Sequence, residues 1–544
     1  MGRETNIHSI PALDERIKEI TAELTRLKRS RNSLLSIARV PPEILGHIFR
    51  FNIVPEVGDG RFATVRGDAY NFLLVCHHWF EVARHTPELW SFWGNNLDDW
   101  KRRYPLSRTA SVDLVLDRVM YRAGSFDGAL WDALKDCAAR DAIRKVHIRA
   151  LDGDLTVDAI VSSLTPEAEV RHSSIESIYL YNVDMSNFLA RHHFPKLRDL
   201  HLFRNFKLSS LDHLKLHTMA LVNLSLDFNN TTPPSAIPTT SQLLSLLASN
   251  PNIRSLMLKQ LVISDDSGNG STSPVLLRHL EGFSMTGKPH HVFPILHRLE
   301  LPERIDKAEL EFHECNLEEA HETVAPYIRD YLRRDPRFEG RLGVLSSSSI
   351  GCFVLQACTV GVEHHPLDHM PPQNSPYVTF RVAIPNATSP EEREELCIDT
   401  LALLPQESVV YLQVDLLILG MEEIISKMPN IEYLHLVDMI VWEGFLLPGP
   451  GKPNSYHKLL PSLRGLCLEN VEALDEDWGP LVTYMTHQTS GNQVVSLNVF
   501  GDGVHICADV LDQLHSLVEW ITYIADPDKE CSSNDDICMP SLYL

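Results

Sequence analysis

Leu197-Arg198-Asp199-Leu200-His201-Leu202-Phe203-Arg204-Asn205 reads apolar-x-x-apolar-x-apolar and closes on an asparagine. Leu221-Val222-Asn223-Leu224-Ser225-Leu226-Asp227-Phe228-Asn229 repeats it, down to the final Asn. The last three apolar-x steps alternate, the period of a strand with one face turned inward. The same string recurs at Ile175–Leu180, Ile253–Leu258, Leu296–Leu301, Val409–Val414, Ile431–Leu436, Leu463–Leu468 and Val494–Val499, and Ile143–Ile148 is an earlier copy. Two or three such strings arise readily in any α/β protein, but this many in one chain point to a repeat.

Most neighbouring copies lie about 20 to about 32 residues apart, the length and strand signature of leucine-rich repeats. One unit cannot bury its own apolar face, so neighbours must stack. The Asn205 and Asn229 side chains are placed to bond the backbone of the turn that follows. A Pro precedes several units, as in Phe194-Pro195-Lys196-Leu197, Asn250-Pro251-Asn252-Ile253 and Leu460-Pro461-Ser462-Leu463, where it stops the preceding helical segment. The fold class expected is therefore α/β, a leucine-rich-repeat solenoid over 94–544, with an ordinary doubly wound sheet as the competing architecture. The rhythm fails near 304–400, where a charged helix is expected from Lys307 to Arg334, followed by apolar strands near 351–360 and 377–384. If the repeats stack, their non-leucine strand positions line one concave face. Tyr179, Tyr181, His201, Phe203, Asp227, Met257, Lys259, Tyr433 and His435 are the candidate substrate-binding residues there, since aromatic and Met side chains dominate protein interfaces.

Ahead of the repeats, residues 11–37 form an amphipathic helix. Leu13, Ile20, Leu27 and Leu34 recur every seventh position, and Ile17 and Leu24 fill the same stripe. A short coiled coil and a helix docked on the next domain both fit. The next stretch, Phe72 to Trp90, crowds one Cys, three His and two Trp together. Read as one continuous helix, it turns Cys76 to the same side as Phe72, Trp79 and Ala83, with His78 and His85 opposite. A single metal ion cannot gather those groups from one helix, so a buried helix with a polar outer face is expected.

Val40-Pro41-Pro42-Glu43-Ile44-Leu45, Ile48-Phe49, Leu74-Val75-Cys76-His77-His78-Trp79, Ala83 and Thr86-Pro87-Glu88-Leu89-Trp90 together resemble an F-box. The whole order resembles fungal F-box proteins with an N-terminal helix, an F-box and C-terminal leucine-rich repeats. Departures are Val40, where Leu is commoner, and a long loop before the third helix. The resemblance implies a helix over 1–39 and a small all-α F-box over 40–93. It further implies a Skp-type adaptor bound through Pro42, Ile44, Leu45, Ile48, Phe49, Val75, Trp79, Leu89 and Trp90, some of which must also build the module's own core. Cullin and RING proteins would follow through the adaptor, and an unknown protein substrate would sit on the repeats. That is the substrate-recognition part of an SCF-type ubiquitin ligase, with no catalytic residue of its own. A repeat scaffold unconnected with ubiquitination is the alternative.

Composition narrows the classes further. A net charge of -23 and a pI near 5.5 disfavour nucleic acid as a partner, because phosphate affinity comes from clustered Lys and Arg. The basic run Arg26-Leu27-Lys28-Arg29-Ser30-Arg31 fits a solvated helix face or a nuclear signal. The ten Cys include no C-x-x-C pair, which reads as reduced thiols in cytoplasm or nucleus. No signal peptide and no membrane span is read. Catalytic signatures for hydrolases, zinc proteases and nucleotide binding are absent, and neither cofactor nor metal is expected. The best metal-like groups are Glu363, His364, His365, Asp368 and His369, and more loosely His313, Cys315 and His321; the first set would suit a metal-dependent enzyme, the least favoured class.

Overall fold

The computed structural model of the chain describes residues 10–53, 70–93, 103, 105–107, 111–117, 143–149, 174–181, 194–203, 221–228, 237–264, 273–302, 305–334, 342–349, 352–359, 377–383, 399, 401–402, 404–415, 425–437, 460–470, 478–488, 494–500 and 506–524. Asn205, Asn229 and the cluster 363–369 lie outside them. The fold is mixed α/β with a large, mostly parallel sheet. Two compact units divide it: Met1–Asn223 with Thr231–Ala236, and Leu224–Asn230 with Ile237–Leu544.

In the first unit α1 (Ile10–Ser33) is followed by α2 (Pro42–Ile53), α3 (Tyr70–Val75) and α4 (His77–Arg84), and a 3-10 turn, Pro87–Trp90, closes the helical region. Pro42 occupies the first position of α2, where a missing N–H costs nothing. The expected continuous helix through residue 76 is interrupted. Cys76 is extended (φ -163°, ψ 169°), and its Sγ accepts the Trp79 N–H at 3.5 Å. Cys76 is thus the N-cap of α4, half-buried rather than in the core. A free first-turn N–H needs an acceptor, and the thiol sulfur supplies one.

Five strands follow: β1 (Phe92–Trp93), β2 (Val112–Asp117), β3 (Ile143–Arg149), β4 (Ser177–Tyr181) and β5 (Asp199–Phe203). Each is parallel to the next. Val146, Ile178 and Leu200 fall in one register row, and Ile148, Leu180 and Leu202 in another. All six are buried. Burying each such side chain is worth about 1.5–3 kcal/mol, so these rows hold the strands in this register.

The second unit's strands are β6 (Asn223–Asp227), β7 (Ser255–Leu261), β8 (Val275–Leu276), β9 (Gly282–Gly287), β10 (Leu299–Glu300), β11 (Lys307–Phe312), β12 (Leu342–Ser349), β13 (Cys352–Thr359), β14 (Tyr377–Ala383), β15 (Val409–Asp415), β16 (Tyr433–Val437), β17 (Gly465–Glu469), β18 (Ser496–Phe500) and β19 (Trp520–Ile524). Apart from the β8–β10 pair, they run β6-β7-β9-β11-β14-β13-β12-β15-β16-β17-β18-β19. Leu412, Leu434, Leu466 and Leu497 share one row, and Val414, Leu436, Leu468 and Val499 the next. β12 pairs antiparallel with β13, and β13 with β14. They are inserted between β11 and β15, where the rhythm of the sequence fails.

Two local devices recur, and a third shapes one pairing. Phe194, Asn250, Met428 and Leu460 each precede a Pro, and each carbonyl accepts the N–H three residues on, from Leu197, Ile253, Ile431 and Leu463. This is a β-turn with Pro preset at its second position. Main-chain bonds then link matching positions of successive copies: Arg198 N–H to Glu176 O and Arg464 N–H to Glu432 O, both at 2.7 Å. At the β7–β9 pairing the register shifts between Leu258 and Leu261, and Gln260 takes φ 49°. Gly287 makes that shift possible, for a Cβ there would meet the Leu261 carbonyl oxygen at 2.8 Å and its nitrogen at 3.1 Å. What it would meet is paired strand backbone, not the end of a movable side chain, so Gly287→Ala is expected to destabilise the second unit by about 1–3 kcal/mol, as overpacking does. Urea unfolding measures it, and an unchanged midpoint would contradict the close approach.

One expectation is corrected. The charged segment from Lys307 begins as β11, because Ala308, Leu310 and Phe312 alternate into the core. Helix starts only at Leu317, passes through a π-helical turn at Ala320–Val324 and ends at Arg334.

Candidate protein-docking surfaces

The helical module is held by Leu45, Phe49, Val82, Ala83, Leu89 and Trp90, all buried, with Val40, Phe72, Leu73 and Trp79 packed around them. Phe49 stacks on Phe72 at 4.3 Å and tilts against Trp79 at 4.9 Å. The Trp90 Nε1–H donates to the Ala83 carbonyl at 2.8 Å. Leu45, Phe49, Leu89 and Trp90, expected at an adaptor surface, are therefore fully used by the module's own core. Trp79 is half-buried. Pro42, Ile44, Ile48 and Val75 remain outside, Ile44 at 51%, Ile48 at 41% and Val75 at 54% exposure.

Two further exposed apolar residues, Phe51 and Leu74, are not among those the sequence reading placed at the adaptor surface. Phe51 follows Ile44 and Ile48 at i+7 and i+3, so all three lie on one face of α2. Leu74 adjoins Val75 at the end of α3. His77 and His85, at 3.8 and 3.7 Å from the Glu81 carboxylate, are surface neighbours of it.

The second surface is the sheet face opposite the leucine rows in the first unit. Its residues fall in three rows across β2 to β5. Asp113, Lys145, Ser177 and Asp199 form the first. Lys145 lies 3.6 Å from the Asp113 carboxylate, Ser177 donates to Asp199, and the Asn223 amide donates to Asp199 at 2.6 Å. In the central row His147, Tyr179 and His201 stack almost parallel at 4.3 and 4.2 Å. In the third, Arg149 lies over the Tyr181 ring at 5.1 Å, and Phe203 lies 6.4 Å beyond.

Burial shapes the protonation of the central row. It drives the His147 imidazole down to about 4, helped by Lys145 and His201. It drives His201 to about 4 as well, against the pull of Asp199. Burial, with Asp199 and Asp113 adding to it, raises the Tyr179 phenol to about 12. All three rings are neutral at pH 7, and the row is a stacked aromatic strip edged by charges. Tyr179, Tyr181, His201 and Phe203 are half-buried here, and so are Asp227, Met257 and Lys259 on β6 and β7 of the second unit.

Tyr433 and His435 are corrected. Both are buried. Tyr433 packs with Val410 and Tyr411, and the His435 Nε2 lies 2.9 Å from the Glu469 carboxylate, with Nδ1 3.5 Å from the Tyr411 hydroxyl. Gly465 sits beside Tyr433 in the register, and a Cβ there would meet the Tyr433 ring at 2.7 Å, so the ring lies across the space a side chain would fill. These residues serve packing.

Metal and thiol chemistry find no support among the described residues. No group of three or more His, Cys, Asp or Glu is placed to hold a metal ion there. His313 faces Glu311 at 4.0 Å while His321 pairs with Asp399 at 2.9 Å, so His313, Cys315 and His321 do not converge. Burial lifts the Cys315 and Cys358 thiols to about 12 and raises Cys467 further, which leaves them protonated at neutral pH. Among the described residues no helix is long and apolar enough to cross a membrane. Compared with known families and with curated proteins, the chain matches no family model and no curated protein.

Proposed function

We propose that the chain is the substrate-choosing adaptor of an SCF-type ubiquitin ligase. Its helical module docks on a Skp-type adaptor, and its parallel strands belong to a leucine-rich-repeat solenoid that carries a protein substrate. The observation that carries the reading is the division of α2. Leu45 and Phe49 fill the module's core, while Ile44, Ile48 and Phe51 turn one apolar face to solvent and Pro42 stands exposed at the start of the helix. On so small a module that face is a liability unless a partner covers it. An apolar helical face is also a common means of docking. The in-register leucine rows and the main-chain links between matching positions support the solenoid. The half-buried strip of Tyr179, His201, Tyr181 and Phe203 supports a protein ligand, since it offers aromatic anchors of the kind that dominate protein interfaces. The chain itself then does no chemistry, and the ligase reaches the substrate through the Skp-type adaptor, cullin and RING protein.

The test separates surface from core. Ile44→Asp with Ile48→Asp changes exposed positions only. Retention of a purified Skp-type adaptor is expected to fall about 30-fold or more, the scale of a hot spot worth about 2 kcal/mol, with thermal unfolding unchanged. Failure of the unmodified protein to retain the adaptor would favour a repeat scaffold unconnected with ubiquitination.

A further inference from the structure

α1 is a 24-residue helix in which no residue is buried. At 1.5 Å per residue it is about 36 Å long. Its apolar residues nevertheless keep one stripe: Ile10, Leu13, Ile17, Ile20, Leu24 and Leu27 alternate at steps of three and four, and every one is exposed. A helix docked on its own chain would bury that stripe. A solitary helix exposing it in water gains nothing from its pattern. The seam therefore belongs to a partner that the chain alone does not supply.

We propose that the partner is a second copy of this chain, joined through α1 in a parallel two-stranded coiled coil. Heptad chemistry selects it. With Ile10, Ile17 and Leu24 at a and Leu13, Ile20 and Leu27 at d, a is mainly Ile and d mainly Leu, the combination that favours two parallel strands. Arg31 takes the next a position, and a lone polar residue there fixes register and strand number at some cost in stability. The flanks complete the case. Glu23 falls at g and Lys28 at the following e, so two in-register copies place Glu23 of each opposite Lys28 of the other. Both ends of that pairing come from the same sequence, which makes the seam complementary to itself. Arg16, the preceding g, meets the neutral Thr21. Within each helix Glu23 already holds Arg26 at 2.7 Å, and Arg16 holds Glu19 at 2.7 Å, while Lys28 stands one turn further on, where it reaches across the seam.

This inference does not rest on adaptor binding and is tested apart from it. Sedimentation of the full chain at micromolar concentration is expected to give twice the 61.6 kDa of one chain. Ile17→Asp with Leu24→Asp is expected to abolish the dimer while leaving thermal unfolding unchanged, because both positions are exposed. Lys28→Glu is expected to weaken it by setting two carboxylates against each other across the seam, and adding Glu23→Lys to restore it. Under mild oxidation Leu13→Cys is expected to give a disulfide between the two copies of position 13, found by mass spectrometry of the linked peptide. A monomeric unmodified protein would overturn the proposal. So would a dimer that survives Ile17→Asp with Leu24→Asp, or a dimer that never yields the 13–13 link, since only in-register parallel helices bring those positions together.

Discussion

Trp90→Ala is expected to melt the helical module while the strands of the second unit stay folded. Trp90 is among the largest fully buried side chains, at the centre of the cluster formed with Leu45, Phe49, Val82 and Leu89. Its ring also lies 5.5 Å from that of Tyr70. Removing a buried Trp costs about 3–5 kcal/mol through lost contacts and the cavity left behind. A second loss adds to the first, because the Ala83 carbonyl gives up the indole N–H it accepts. A folded segment of this size is stabilised by only about 2–8 kcal/mol, so the substitution removes most of what holds it. Hydrogen exchange reads the result region by region. Amides of Pro42–Ile53 and His77–Arg84 should lose their protection, while those of Tyr433–Val437 and Gly465–Glu469 keep theirs. Trp90→Phe, which keeps a ring but not the donor, should fall between the two. Unaltered protection in α2 and α4 would mean that Trp90 does not organise the module. Adaptor retention should vanish in Trp90→Ala through unfolding, whereas Ile44→Asp with Ile48→Asp removes it from a folded module.

That contrast marks where the sequence stops being legible. Ile44 and Ile48 are spaced i, i+4, and so are Leu45 and Phe49. The two pairs lie about 100° apart on one helix, and spacing alone cannot say which pair faces in. The answer comes from Phe72, Trp79 and Trp90, which arrive from later in the chain and close over Leu45 and Phe49. The parallel strands were far more legible, because each carries its own period-two pattern and the patterns recur. β12 was not, since Ser346, Ser347, Ser348 and Ser349 give half of it no apolar signal, and its place is set by pairing with β13 and β15. β11 hid in a charged run whose Ala308, Leu310 and Phe312 alternate over only six residues. Cys76 was misread because a helical wheel assumes an unbroken helix, and capping breaks it. On the sheet face the sequence named Tyr433 and His435 alongside Tyr179 and His201. His435 occupies the strand position of Tyr179 and His201, and Tyr433 that of Ser177 and Asp199 on the same face, but neighbouring side chains bury both Tyr433 and His435.

Acidification is expected to weaken the first unit through the stacked row. A histidine in the unfolded chain titrates near 6.5, whereas His147 and His201 titrate at about 4 when folded. Between those values the unfolded chain holds protons that the folded chain refuses. Stability therefore falls as pH drops from about 6.5 towards 4 and stays low below that. Each histidine is worth on the order of 3 kcal/mol at the acid limit. The groups facing the row explain both signs. Lys145 opposes a charge on His147, and Asp199 favours one on His201 without overcoming burial. Asp113 acts the other way: burial raises its carboxyl, Lys145 only partly offsetting it, so the folded chain takes up that proton early and recovers part of the loss. His147→Phe with His201→Phe keeps two flat rings in the stack and removes both titrations. Hydrogen exchange of Ile143–Arg149 and Asp199–Phe203 at pH 7, 5 and 4 separates the cases. The unmodified protein should lose protection steeply over that range, and the double variant much less. Equal losses in the two would show that the row does not keep its imidazoles neutral. A ligand anchored on this strip would then meet charged rings in acid, and the strip's role as an apolar platform would have to be abandoned.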